Sequence, residues 1–175
     1  MNFNLQESIA LLERAPSVYR TLLSGLSESW VQCNEGEETW SAYDIMGHLI
    51  HGEKTDWLQR IEIILEESEN KTFAPFDRFA QFEESKGKTM SQLLDEFEMA
   101  RMKNIQRLKS KNITESYLSK TGIHPAFGQV TLRQLISTWT IHDLAHLNQA
   151  TRVMMKYYKE EVGPWKKFFS VLKNE

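Results

Sequence analysis

Two stretches of this chain open with the same signal. Thr89 is followed three residues on by Gln92, and Thr131 by Gln134, a capping-box spacing in which each side chain satisfies an amide left free at a helix start. Behind the first come Met90, Leu93, Leu94, Phe97, Met102, Ile105 and Leu108; behind the second come Leu132, Leu135, Ile136, Trp139, Ala150 and Val153. Apolar residues at three- and four-residue steps form one stripe of a helix, and such a helix must bury that stripe against other elements. Two further stretches qualify. From Phe3 to about Leu26, Leu5, Ile9, Leu12, Ala15, Val18, Tyr19, Leu22 and Leu23 predict a helix, with a kink or restart near Ala15 because Pro16 removes a ladder hydrogen bond. Ser41 reads as the N-cap of another, helped by Asp44 at its positive end and running to about Ser68.

Between these helices, Asn70 to Lys88 reads as a long crossover whose aromatics, Phe73, Phe76, Phe79 and Phe82, cover one end of the core. Asn112 to Val130 reads as irregular, with room for two short strands, and as a candidate pocket wall. After Gly163-Pro164, a short closing helix is expected. Four helices of about 20 residues predict an all-α four-helix bundle with a long crossover connection, a single domain spanning 1–175.

A net charge of −3 with interspersed signs leaves no basic stripe for nucleic acid. No run of eighteen apolar residues and no basic-then-apolar start argues against a membrane span or secretion, and a lone cysteine, Cys33, excludes an intramolecular disulfide. A cytoplasmic protein is expected. Cys33 reads as an ordinary thiol.

His142 and His146 lie four residues apart, on one helix face, about 6 Å apart along the axis. With Leu132 at zero and ~100° per residue they fall at ~280° and ~320°, in the arc of Trp139 and Val153. Two interior imidazoles either hydrogen-bond to neighbouring helices or share a metal, and a third histidine would leave a position open for water or substrate. His48 and His51 are rivals for that third place. The apolar arc of Ala42, Ile45, Met46, Leu49 and Ile50 leaves His48 toward the side of Asp44, Thr55 and Gln59, and periodicity does not choose between them.

Several pieces together resemble the DinB superfamily of metal-binding four-helix proteins, which includes YfiT-type thiol S-transferases. They are Trp40-Ser41 ahead of Gly47-His48-Leu49 with Glu53, the stretch from His124-Pro125-Ala126-Phe127-Gly128 to Leu132, His142-Asp143-Leu144-Ala145-His146-Leu147-Asn148-Gln149, and Val162-Gly163-Pro164-Trp165. The resemblance implies a metal triad of His48, His142 and His146, with His51 a pocket or surface residue and His124 a loop residue. It implies a divalent ion, zinc or nickel, and transfer of a low-molecular-weight thiol to a small electrophile. Metal-dependent hydrolysis and a non-catalytic metal- or ligand-binding bundle are the alternatives, and a homodimer is plausible. Gln149 lies on the ligand side, where it could orient a ring or substrate; Glu53 is open to base or salt-bridge roles. Asp143 points off the ligand face, and Trp57, Trp139 and Phe127 read as core.

Overall fold

Each long helix begins where a side chain caps it. In the computed structural model, which describes residues 3–173, the Asn4 side chain accepts from the Gln6 and Glu7 amides and opens α1, Leu5–Leu23. A single turn, α2 (Glu28–Val31), leads to the Ser41/Asp44 capping box that starts α3, Ala42–Thr55. α4, Trp57–Leu65, follows after one residue, and the crossover carries the six-residue α5, Ala80–Ser85. The Thr89/Gln92 box opens α6, Met90–Ser110. An antiparallel hairpin, β1 (Thr121–His124) and β2 (Gly128–Thr131), realises the two expected strands and runs directly into the Thr131/Gln134 box of α7, Leu132–Tyr157.

α1 packs on α6 and α7, and α3 packs on the same two helices. α1 and α3 therefore share one diagonal of the bundle, and α6 and α7 the other. Two apolar clusters fill it, one around Leu12, Ile61, Phe73 and Trp139 and one around Tyr19, Ile45, Leu49 and Phe97. The Arg101 guanidinium lies between them, over the rings of Phe97 and Trp139.

Arg101 is 1% exposed, and all five of its N–H groups are used. Nε and Nη2 donate to Glu53 Oε1 at 3.0 and 2.8 Å; Nη1 and Nη2 donate to Asp143 Oδ2 and Oδ1 at 2.5 and 3.0 Å. The remaining Nη1 donor reaches the Leu12 carbonyl oxygen at 2.9 Å. That carbonyl is available because its helical partner would be the amide of residue 16, a proline. The helix does not restart near Ala15: α1 runs unbroken from Leu5 to Leu23 through Pro16, and the unpaired carbonyl is bonded by Arg101. Burial alone would lower the Arg101 pKa, but Glu53 and Asp143 outweigh it and hold the charge.

Other expectations also change. The second helix is interrupted at Asp56 (φ −118°, ψ −75°) and ends at Leu65; the Asp56 amide still bonds the Gly52 carbonyl and the Arg60 amide the Asp56 carbonyl, so hydrogen bonding continues across the break. Met102 is exposed because Arg101 and Ile105 occupy the buried stripe. In the crossover Phe73 is buried, whereas Phe79 and Phe82 are exposed. Phe127 is 79% exposed, stacked on His124 at the hairpin tip rather than in the core. The closing helix is two short 3-10 turns, Gly163–Phe168 and Ser170–Leu172, with Leu172 buried and Trp165 exposed.

Removing one partner of a buried ion network leaves charge unpaired, at a cost of about 3–5 kcal/mol. Arg101→Met should therefore lower the unfolding free energy by that amount in a denaturant titration, and adding Glu53→Gln and Asp143→Asn should recover part of it. A loss below about 1 kcal/mol in the single variant would show that the network contributes little.

Candidate metal centre

α3 and α7 are neighbours, and their contact brings His48 against His142 and His146. The ring centroids of the three histidines lie 4.4 to 5.1 Å apart, and one nitrogen from each falls within 4.8 Å of the others. His48 faces inward despite the polar arc it occupies, because α5 of the crossover lies over that side of α3. Gly47 permits the approach: a Cβ there would meet Ser85 Oγ at 2.3 Å.

Two glutamines fix the rings. His48 Nδ1–H donates to Gln81 Oε1 at 2.9 Å, and His146 Nδ1–H donates to Gln149 Oε1 at 2.8 Å. Each bond places the proton on Nδ1 and leaves Nε2 with a free lone pair. His48 Nε2 and His142 Nε2 are 3.0 Å apart, so with His48 Nε2 bare the bridging proton belongs to His142. His142 Nδ1 is then bare, buried and without a hydrogen-bond partner among the described residues. Trp40 and Phe76 pack on His48 from the first loop and the crossover, and Trp57 stands edge-on to His142 at 4.9 Å. Gly52 makes room for the Trp57 indole, whose Nε1 lies 3.1 Å from where a Cβ would sit.

Burial and His146 push the His48 pKa down to about 4. Burial, then His146, His48 and Arg101, push His142 down to about 2, and burial lowers His146 against the opposing Gln149 bond. All three rings are neutral at pH 7. Three uncharged imidazoles converging on one point, with a stranded nitrogen and no carboxylate among them, are a donor set that fits a late divalent cation.

The remaining sequence candidates lie elsewhere. Glu53 is buried with both carboxylate oxygens engaged, by Arg101 and Trp139 Nε1 on one and by Asn104 on the other, so it faces the hub and not the triad. Asp143 binds Arg101, the bond to another helix that its off-face position suggested. His51 is buried rather than at a surface; its Nδ1 meets Glu84 Oε1 at 3.0 Å and its ring packs on Phe76. His124 is on the hairpin, and Cys33 is half-buried, its pKa raised by burial. Trp139 and Trp57 are both core, and Trp57 also lines a cleft of about 480 Å³ with His48, Asp56, Arg60, Phe76, His124 and His142. Sequence patterns did not point to Gln81, a single polar residue in a six-residue helix. Arg101 did leave a signal, a charge inside the stripe Leu94, Phe97, Ile105 and Leu108.

A four-helix bundle with α1 and α3 on one diagonal and three imidazoles shared between adjacent helices defines the class. Residues 11–150 match the DinB superfamily, and the chain belongs to that family. The fold is similar to YfiT from Bacillus subtilis, described as "a probable metal-dependent hydrolase with an unusual four-helix bundle topology". The TM-score is 0.74 at 17% identity, over 89% of this chain and 90% of that one. No curated protein matches the chain. No helix among the described residues is long and apolar enough to cross a membrane.

The neutral histidines give stability a pH dependence with a definite sign. An unfolded histidine takes up a proton below about pH 6.5, while the folded His142, its pKa pushed down to about 2, does not, so acid favours the unfolded chain. His142→Gln lacks that term. In metal-free protein, the unfolding free energy of His142→Gln relative to wild type should move in the variant's favour by about 2 kcal/mol between pH 8 and pH 5. A difference independent of pH would contradict a neutral buried His142.

Proposed function

We propose that the chain is a metal-dependent enzyme in which His48, His142 and His146 hold a divalent ion, zinc or nickel, at the end of the cleft lined by Trp57 and Phe76. The observation that carries this is the convergence of one nitrogen from each ring within 4.8 Å, with glutamine bonds at Nδ1 of His48 and His146 leaving both Nε2 atoms bare. Bound there, the ion would leave a coordination position free and lower the pKa of a thiol or water near neutral pH. The chain's own groups do the rest: Gln81 and Gln149 hold the ring tautomers, Trp40 and Phe76 shield the rings from solvent, and the cleft admits a small molecule.

Transfer of a low-molecular-weight thiol to a small electrophile is the reaction we favour. A thiol ionises close to neutral pH without a strong base, and Asp56, the one carboxylate lining the cleft among the described residues, is tied to Arg60 Nε at 2.7 Å. Hydrolysis is the second reading. It is supported by the description of YfiT and by the Asp56 carboxyl, which burial pushes up to about 6 against the pull of Arg60, into the range of a general base. Thiol transfer would suit a cytoplasmic setting. A homodimer belongs to the same proposal, supported by exposed Leu11 and Val18 on α1 and Ile141 and Leu144 on α7.

Untagged protein should carry about one metal ion per chain by elemental analysis. His48→Ala, His142→Ala and His146→Ala should each lose it and melt earlier than metal-loaded wild type, because a ligand bound only by the native state shifts unfolding. His51→Ala should keep it. Retention by His48→Ala with loss from His51→Ala would overturn the ligand set. On the same samples, conjugation of glutathione or cysteine to 1-chloro-2,4-dinitrobenzene supports thiol transfer, whereas turnover of p-nitrophenyl acetate without thiol supports hydrolysis; metal without either activity would favour a binding role.

Gln81 supplies a readout of its own. Losing the partner that orients a ligating imidazole costs about 10- to 100-fold in metal affinity. Gln81→Ala should weaken binding by that factor in competition with a chromophoric chelator, with the metal-free melting temperature little changed. Unaltered affinity would remove Gln81 from the site.

A further inference from the structure

His51 and His124 lie outside the triad. His51 is spent on Glu84, but His124 is held in a way that points to a ligand. It ends β1, and the hairpin turns through Pro125, Ala126 and Phe127 to Gly128, whose φ of +70° suits glycine. Across that turn the imidazole does what an aspartate or asparagine does elsewhere: its Nδ1 accepts from the Ala126 amide at 3.1 Å and the Phe127 amide at 3.3 Å. A nitrogen that accepts two N–H bonds carries no proton, so the neutral ring has its proton on Nε2. Burial, then Arg60, lower the ring's pKa and keep it neutral at pH 7. Stacking on Phe127 at 4.5 Å and edge contact with Phe73 fix its plane. Nε2–H donates to no protein group among the described residues.

The cleft that this ring lines reaches His48 and His142 and has Trp57, Pro75 and Phe76 as apolar walls. Arg60 lines the same cleft, its Nε donating to Asp56 at 2.7 Å and its Nη2 to the Ala74 carbonyl at 3.4 Å, so its charge is matched within that wall. The polar side of the cleft thus presents hydrogen-bond donors without net positive charge, and Asp56 repels an anion. An uncharged acceptor oxygen on a flat apolar body satisfies both sides.

We propose that His124 is a fixed hydrogen-bond donor for a carbonyl oxygen of the substrate, and that the cleft takes small, flat, uncharged carbonyl compounds. The substrate class rests on the cleft being the mouth of the metal site; the donor assignment rests on the hairpin alone. His124 is a binding residue, placed by the turn it caps.

Benzamide is a suitable probe, since it carries a neutral carbonyl on an aromatic ring. Binding to the full chain, as purified and after chelation, is measured by equilibrium dialysis, with toluene and benzoate as controls. Nitrogen NMR of the histidine rings reads the tautomer in wild type without any substitution. His124→Asn keeps an oxygen that can accept the turn amides but lacks the Nε2–H, while His124→Gln returns an N–H near that place. We expect a protonated Nε2 and a bare Nδ1 on His124, and saturable benzamide binding in preference to benzoate. We also expect a five- to tenfold weaker dissociation constant in His124→Asn with partial recovery in His124→Gln, and toluene affinity unaffected by either change.

A protonated Nδ1, equal benzamide affinity in wild type and His124→Asn, or no saturable benzamide binding would overturn the donor assignment; tighter benzoate binding would overturn the uncharged class. Elemental analysis separates this from the metal proposal. His124-dependent benzamide binding by a chain that holds no metal would sink the triad and leave the donor standing. Metal retention with benzamide binding indifferent to His124 would do the reverse.

Discussion

The bundle depends on one guanidinium. Arg101 reaches from α6 to Glu53 on α3, Asp143 on α7 and the Leu12 carbonyl on α1, so a single side chain is bonded to every other long helix. Apolar burial is non-directional, whereas each of these five N–H bonds needs its partner at a fixed place. Two partners tighten the arrangement: Tyr19 donates to the Asp143 carbonyl at 3.0 Å, and Asn104 binds both the carboxylate and the backbone carbonyl of Glu53. Because taking these charges out of water is costly, such a network says little about net stability; what it supplies is register.

Register is what the histidines need. Glu53 follows His48 by five residues, and Asp143 adjoins His142. The contact that holds Glu53 and Asp143 on one guanidinium therefore also sets His48 Nε2 at 3.0 Å from His142 Nε2. Charge couples the two sites as well, since Arg101 is among the groups that hold His142 below its usual pKa. The hub and the triad share two helices, α3 and α7.

Capping chemistry made the helices legible. Thr89/Gln92 and Thr131/Gln134 form the boxes their spacing predicts, and the stripe behind each one packs inward except for Met102. The i, i+4 spacing of His142 and His146 likewise put both rings on an inner face. What failed to show were effects of segments distant in sequence. Periodicity assigns His48 to a polar arc because it counts only residues on its own helix, and α5 arrives from 33 residues away to make that arc interior. The same limit hid Gln81. Pro16 did not restart its helix for a related reason: the carbonyl it leaves without an amide partner is met by Arg101, from a helix distant in sequence. The interruption at Asp56 left no Gly or Pro to mark it.

The division of labour between bundle and connections follows from this. The proposed ligands stand on α3 and α7, whose positions the hub dictates. The groups that shield them, orient them and wall the cleft come largely from outside the four long rods: Gln81 and Phe76 from the crossover, His124 from the hairpin. Those two connections are themselves joined. The Phe73 amide donates to the Ile123 carbonyl and the Ile123 amide to the Lys71 carbonyl, with Gly122 admitting the Phe73 ring at a distance no Cβ would allow. Crossover and hairpin thus form one cover over one end of the triad. Changes in that cover would alter what enters the cleft without moving the imidazoles, so on the proposed reading the same rods would hold the same ion while different connections select different substrates. A likeness of fold at 17% identity accordingly carries the rods far better than the cover, and the substrate has to be argued from Trp57, Phe76, Arg60 and His124 as they stand in this chain.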